Sequence, residues 1–511
     1  GVTAATSIDV MGSGETYYIL VESTLDSDIG NYTLRIDGVA STSVVFYPEG
    51  FANASIQEFV SLANPNAESV DYTIRVYYAD AMLGSAVVAS GTLAAGSRGG
   101  ATLSFGGDID GDGNADYAPG IVANEAYAIA VESSLRIAAG LSHYDRGILS
   151  PSQDPLSLDR SPGAIGEVFT DRLSTTWAFP DVERNPGVVE EYLVYFNPNS
   201  FDVDLTVTAF TSAGEVSLPT ITLGANRRGG LEIHNTSALP LGTFAVELSA
   251  VASDAANEPM NLGVVASLSR YNVLEQTAFG YLGVADGGST FNVIPSLTEG
   301  PSIDSEIHLF NAGDTASTVT ITGTYITDQG LPDLTRIVTL AAGQRFTLTG
   351  QSLAFVSNVP IGLTISSTNA IAVSSVETQR GDATAVAGFT EAGNSFFFGD
   401  AFMNPEQAGS LYAESLTVYN PSASDANVTV TFLFADGTAA RIYTGSSVAV
   451  EAGGFLQLRL EDLSEVVNNR PKLNFFSIQV DSDASIVAQL SHFDGFLGGG
   501  WATGGAALGL T

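Results

Sequence analysis

The sequence predicts an all-β chain of tandem immunoglobulin-like β-sandwich domains, and three observations predict it. The 511 residues are 45% hydrophobic but only 14% charged, a mixture that favours short strands joined by many turns. One set of alternating apolar and polar segments recurs four times along the chain. Turn signals fall roughly every 8–12 residues, and no stretch carries convincing helical periodicity beyond a short turn around Asp462–Val467.

Each recurrence opens on an aromatic cluster: Phe46-Tyr47-Pro48-Glu49, Trp177-Ala178-Phe179-Pro180-Asp181, Phe291-Asn292-Val293-Ile294-Pro295 and Phe396-Phe397-Phe398-Gly399-Asp400. A strand ending at an asparagine follows, as Glu58–Asn64, Glu191–Asn197, Glu306–Asn311 and Glu414–Asn420. Alternation along it turns one side into a core. Where proline follows the asparagine, the missing N–H ends the ladder. A second alternating strand comes next: Tyr72–Tyr78, Leu205–Phe210, Val319–Tyr325 and Val428–Phe434. A turn bearing arginine recurs at Arg98, Arg228 and Arg345, and the fourth copy has Gly453-Gly454-Phe455 instead. The closing strand ends in a polar-aromatic tetrad, Ser142-His143-Tyr144-Asp145, Ser269-Arg270-Tyr271-Asn272 and Ser491-His492-Phe493-Asp494, with Thr378-Gln379-Arg380-Gly381 as its third, diverged form. The asparagines are 133, 114 and 109 residues apart, which suits sandwiches of seven to nine strands.

The pattern divides the chain into a partial repeat at 1–40 and sandwiches at 41–165, 166–283, 284–390 and 391–511. Residues 15–25 match 125–135 at seven of eleven positions, so the N-terminal segment reads as the last strands of a repeat. Its unpaired edge predicts pairing with another subunit or another repeat. The Gly-rich stretch at Gly498–Gly505 reads as a linker. A start at Gly1 rather than Met reads as a processed form or a fragment.

Against 56 acidic residues stand 18 basic ones, a net charge of −38, and Lys472 is the single lysine. Such a polyanion is repelled by nucleic acid and by anionic lipid heads, and gathers divalent cations. Cysteine is absent, so no disulfide or thiol chemistry is available, and Lys–Asn isopeptide staples could form in one repeat at most. No run approaches the ~20 apolar residues of a spanning helix. Sequons at Asn31, Asn53, Asn235 and Asn427 fit an exposed, exported surface.

The sharpest chemical signal is Asp108-Ile109-Asp110-Gly111-Asp112-Gly113-Asn114-Ala115-Asp116. Asp at positions 1, 3, 5 and 9, glycine at 6, and the Asn114 carbonyl at 7 give the spacing of a calcium loop. Four carboxylates so close repel one another unless a cation sits among them. Position 12 is Pro119, so a bidentate glutamate is missing there. The loop resembles those of dockerins and thrombospondin type 3 repeats, which implies a structural calcium held by Asp108, Asp110, Asp112, Asn114 and Asp116.

The tetrads at His143 and His492 bring Ser, His and Asp together, but neighbours on a strand point to opposite faces, and no catalytic relay is expected. Arg98, Arg228 and Arg345 could take an anionic glycan; bonding to carboxylates or carbonyls of their own domains is the expectation.

The order aromatic-Pro-Glu-Gly, Asn-Pro strand, Gly-Ser-Arg turn and Ser-x-Tyr strand resembles tandem repeats of large bacterial surface proteins. The likeness spans nearly the whole chain and is clearest over 45–146. It implies an extracellular sandwich array and supplies no active site. Asn31–Ile36 also resembles the closing strand of a domain that follows many secreted bacterial peptidases. The expected function is a non-catalytic structural subunit of a surface layer, sheath or filament, a homo-oligomer or polymer joined through its N-terminal edge. The alternatives are an adhesin or carbohydrate-binding stalk, or an accessory region of a secreted hydrolase.

Overall fold

The computed structural model describes residues 43–145, 163–254, 262–275, 277–326, 331, 334–379, 382–403, 412–435, 438–443, 448–467, 474–494 and 501–504. The N-terminal segment 1–40, with its edge-pairing expectation, lies outside the described residues, as do Asn31 and Lys472.

The chain is all-β and forms four β-sandwiches. In the first, the strands are β1 (Ser43–Tyr47), β2 (Ile56–Asn64), β3 (Val70–Tyr78), β4 (Ser85–Leu93), β5 (Ser97–Phe105), β6 (Tyr127–Ser133), β7 (Ala138–Asp145) and β8 (Gly163–Val168). One sheet has the order β1-β6-β3-β4 and the other β5-β2-β7-β8, all antiparallel. This is not the ABED/CFG order of immunoglobulin domains, so that likeness is one of layered architecture. The alternation behaves as its period dictates: Val70, Ile74, Val76 and Tyr78 of β3 enter the core with Val60 and Leu62 of β2.

The second sandwich repeats both orders with Arg227–Glu232, Val189–Asn197, Val265–Asn272 and Thr277–Leu282 in the places of β5, β2, β7 and β8. In the third and fourth, the β6 and β7 equivalents fuse into single strands, Ile361–Gln379 and Asn474–Asp494, that cross from one sheet to the other. The helical content among the described residues is a 3-10 turn at Leu460–Asp462 and one turn at Ser464–Val467. None of the helices is long and apolar enough to cross a membrane.

Every copy carries a β-bulge after its aromatic opening. Two residues stand against one of the partner strand at Pro180-Asp181, Pro295-Ser296 and Gly399-Asp400, and Pro48-Glu49 holds the same place. A bulge turns a side chain out of the ladder's alternation. Here it aims each second residue at the β5-β2-β7-β8 sheet of the next copy. Phe46 and Tyr77 pack on Phe196 at 5.7 and 5.0 Å, joining first to second. Phe210 packs on Phe310 at 4.9 Å, joining second to third, and Tyr419 Oη bonds Thr364 Oγ1 at 3.1 Å, joining third to fourth. Phe397 and Leu433 then cluster with Ala63 and Ala138, joining fourth to first. A Cβ on Gly399 would lie 2.9 Å from the Gly140 nitrogen, so glycine is required for this last approach. The four sandwiches close into a ring.

The β8 equivalents, Thr277–Leu282, Asp382–Ala387 and Trp501–Gly504, lie with β8 in cyclic succession at the ring's centre. This corrects three expectations. Trp501–Gly504 is a strand paired with Gln489–His492 and not a linker. The domain boundary at 165 falls inside β8, which belongs to the first sandwich. The third tetrad is displaced by two residues: register places Val376-Glu377-Thr378-Gln379, not Thr378–Gly381, opposite the asparagine strand.

Candidate functional sites: four junctions and an aspartate loop

Pairing registers define the equivalent positions. Arg98, Arg228, Arg345 and Phe455 each face the residue before the recurring asparagine, namely Ala63, Phe196, Phe310 and Tyr419. Arg98 reaches across the ring to Asp400 of the fourth copy at 2.6 Å, and its guanidinium lies over Phe475, 5.5 Å from the ring centroid. Ser142 Oγ donates to the same carboxylate. Arg345 likewise bonds Asp181 of the second copy and donates Nε–H to the Pro180 carbonyl at 2.7 Å. The expectation that these arginines serve their own domains is thus corrected for Arg98 and Arg345. A one-domain pattern cannot show that a bulge in the neighbour presents the acid. Glu49, the first copy's bulge acid, takes the Ser269 hydroxyl of the second copy; burial raises its carboxyl above the ordinary value, against the pull of His143, Ser269 and Arg228 toward the charged form.

A second polar pair crosses the two central strands within the first, second and fourth copies. Glu58, Glu191 and Glu414 face His143, Arg270 and His492. Glu58 accepts from Tyr127 Oη and lies 2.9 Å from His143 Nδ1. Burial pushes the His143 imidazole down, but the bond and charge of Glu58 outweigh it and hold the group above its ordinary value. Arg270 bridges Glu191 and Asp181, the latter at 2.7 Å, and lies over Phe279. Burial pushes the Asp181 carboxyl up, yet Arg270 and Arg345 together hold it well below the carboxylate range. His308, buried beside these cations, is pushed down to about 4 and stays neutral. Ser142 thus faces the neighbouring copy while His143 faces Glu58, and the two are not aligned as a relay.

The recurring asparagine is a clamp that sequence reasoning took for a strand stop. Asn197 Nδ2 donates to the carbonyls of Phe201, Leu223 and Gly224 at 2.9, 3.2 and 2.9 Å, and Oδ1 accepts the Asn199 N–H at 3.0 Å. Asn64, Asn311 and Asn420 make the same four bonds at equivalent places. The signal was present in the third copy, where Ala312 follows the asparagine in place of proline.

The aspartate loop leaves β5 and is closed at its base by Asp116 N–H to Gly107 O and Phe105 N–H to Asp116 O, at 2.9 and 3.1 Å. Asp108 accepts the N–H groups of Gly111, Asp112 and Gly113, and Asp116 those of Ile109 and Asp110. Gly111 and Gly113 have φ of 82° and 91°, the left-handed turns the spacing calls for. One carboxylate oxygen each from Asp108, Asp110 and Asp116 lies within 4.8 Å of the others. Asp112 and Asn114 fall outside this trio; Asp112 accepts the Asn114 N–H at 2.8 Å. An all-oxygen donor set of this kind suits a hard divalent cation.

Residues 393–497, most of the fourth sandwich, match the family model described as Anabaena sensory rhodopsin transducer. Among solved structures the chain is similar to Thermotoga maritima 1070 at 28% identity, over 20% of this chain and 82% of that one, with a TM-score of 0.17. It is also similar to a Bacteroides uniformis β-glucuronidase at 10% identity, over 50% of this chain and 28% of that one, TM-score 0.12. The tetra-tandem repeat in the extending region of a large adhesion protein is similar at 13% identity, over 86% and 91%, TM-score 0.10. Comparison with curated proteins finds no match.

Proposed function

We propose that the chain is a non-catalytic structural subunit of an extracellular surface assembly, a layer, sheath or filament, and that its working unit is the closed ring of four sandwiches. Ring closure carries this reading. The polar groups that could have served chemistry are committed to structure: Arg98 with Asp400 and Arg345 with Asp181 hold neighbouring sandwiches together, and His143 with Glu58 ties the central strands of the first. A ring offers two broad faces for lateral contact, and its acidic surface suits calcium-dependent association. Asp108, Asp110 and Asp116 would hold one calcium ion in a structural role, with Asp112 drawn in on binding.

Electron microscopy of the full chain at rising concentration, with calcium and with chelator, tests the proposal. Ordered arrays in calcium that dissolve on chelation are expected. Monodisperse particles under every condition contradict it. The adhesin reading, in its carbohydrate-binding form, predicts instead selective capture on a glycan array by the unassembled chain.

A further inference from the structure

The four junctions are equivalent in position and unequal in chemistry. Between the third and fourth copies, the bulge residue is Ser296, and Phe455 stands where the others have arginine. Both halves of the ion pair are gone, and a cavity of about 100 Å³ lies at this junction, large enough for several water-sized groups. Ser296 and Glu377 of the third copy face Ser415, Gln457, Gln489 and Ser491 of the fourth across it.

Ser491 holds the strand position of Ser142 and Ser269, whose hydroxyls donate to the neighbour's bulge carboxylate. At this junction the hydroxyl keeps its place while its acceptor is replaced by Ser296. Gln489 is 5% exposed, its Nε2 donates to Ser491 Oγ at 2.9 Å, and its Oε1 accepts no hydrogen bond among the described residues. A buried amide oxygen without a donor costs about 1–3 kcal/mol, so the cavity favours a guest that donates to it. Glu377 occupies the position that carries His143, Arg270 and His492 elsewhere. It accepts the Thr298 N–H at 2.6 Å, and burial pushes its carboxyl up to about 8. At neutral pH the walls are therefore uncharged, with donors and acceptors mixed, and the six groups include neither a guanidinium nor an ammonium to receive an anion.

We infer that the junction of the third and fourth sandwiches is a binding site for a small, uncharged, polyhydroxylated molecule. One hydroxyl of the guest replaces the missing bulge carboxylate at Ser491 and another donates to Gln489 Oε1. This site is independent of the assembly proposed above.

Saturation-transfer NMR on the full chain with erythritol as the probe tests it. Transfer to the tetrol is expected with the wild type. Gln489→Leu, which keeps the volume and removes the amide, should weaken binding about tenfold. Ser296→Asp, which refills the cavity with a carboxylate, should abolish it. Met82→Ala, exposed on the first copy and remote from the junction, should leave it unchanged. Melting temperatures verify that each variant is folded, and Ser491→Ala reads the same contact if Ser296→Asp does not fold. Absence of transfer in the wild type, as for a cavity that takes water alone, overturns the inference, and so does equal transfer in folded Gln489→Leu and Ser296→Asp.

Discussion

Asn197 and Asp181 show how single residues carry this structure. The asparagine satisfies three carbonyls and one N–H in a buried corner where water cannot replace it. Asn197→Ala should lower unfolding stability by about 3 kcal/mol, read by urea denaturation. Asp181 joins two copies through Arg270 and Arg345, so Asp181→Asn leaves buried cations uncompensated, at about 3–5 kcal/mol. Its folded carboxyl titrates below its unfolded value of ~3.9, so its stabilisation is full above that pH and is lost as pH falls further. Glu377 has the opposite sign. With its carboxyl pushed up to about 8, the folded state binds the extra proton, and stability falls as pH rises from the unfolded value of ~4.3 toward 8. Glu377→Gln should therefore gain on the wild type between pH 5 and pH 9 in thermal melts. The arginine turns were legible as recurring positions, but their partners were not, because a repeat compared with itself says nothing about its neighbours. The joint loss of acid and arginine at Ser296 and Phe455 was the available signal.

At the scale of elements, the strands with long alternation were legible, because burial on one face imposes period two on Tyr72–Tyr78 and its equivalents. β8 and its relatives were not. They are short, and the Gly-rich Gly498–Gly505 around the last of them reads as linker, whereas a small residue such as Gly280 answers to crowding where four edge strands meet. A Cβ on Gly280 would lie 2.6 Å from Ile165 of the first copy. Gly280→Val should cost about 1–3 kcal/mol by overpacking, while Gly107→Ala, with open space around it, should change stability by less than about 0.5 kcal/mol. Differential scanning calorimetry of the two variants separates these outcomes. The aspartate loop was legible in its left-handed turns at Gly111 and Gly113.

The ring itself was the least legible feature. Four tandem sandwiches can stand in a row or close on themselves, and the choice rests on contacts 258 to 302 residues apart, such as Ser142 and Arg98 with Asp400. Few cations are available against 56 acidic residues, and two of the 18, Arg98 and Arg345, cross junctions, so self-repulsion is offset where the copies meet. Closure of the fourth sandwich onto the first is the central claim. Small-angle X-ray scattering from the full chain tests it most directly. A closed ring predicts a radius of gyration within a few ångströms of the ~24 Å of a compact chain of this length. A rod-like profile with a radius approaching twice that value would contradict it.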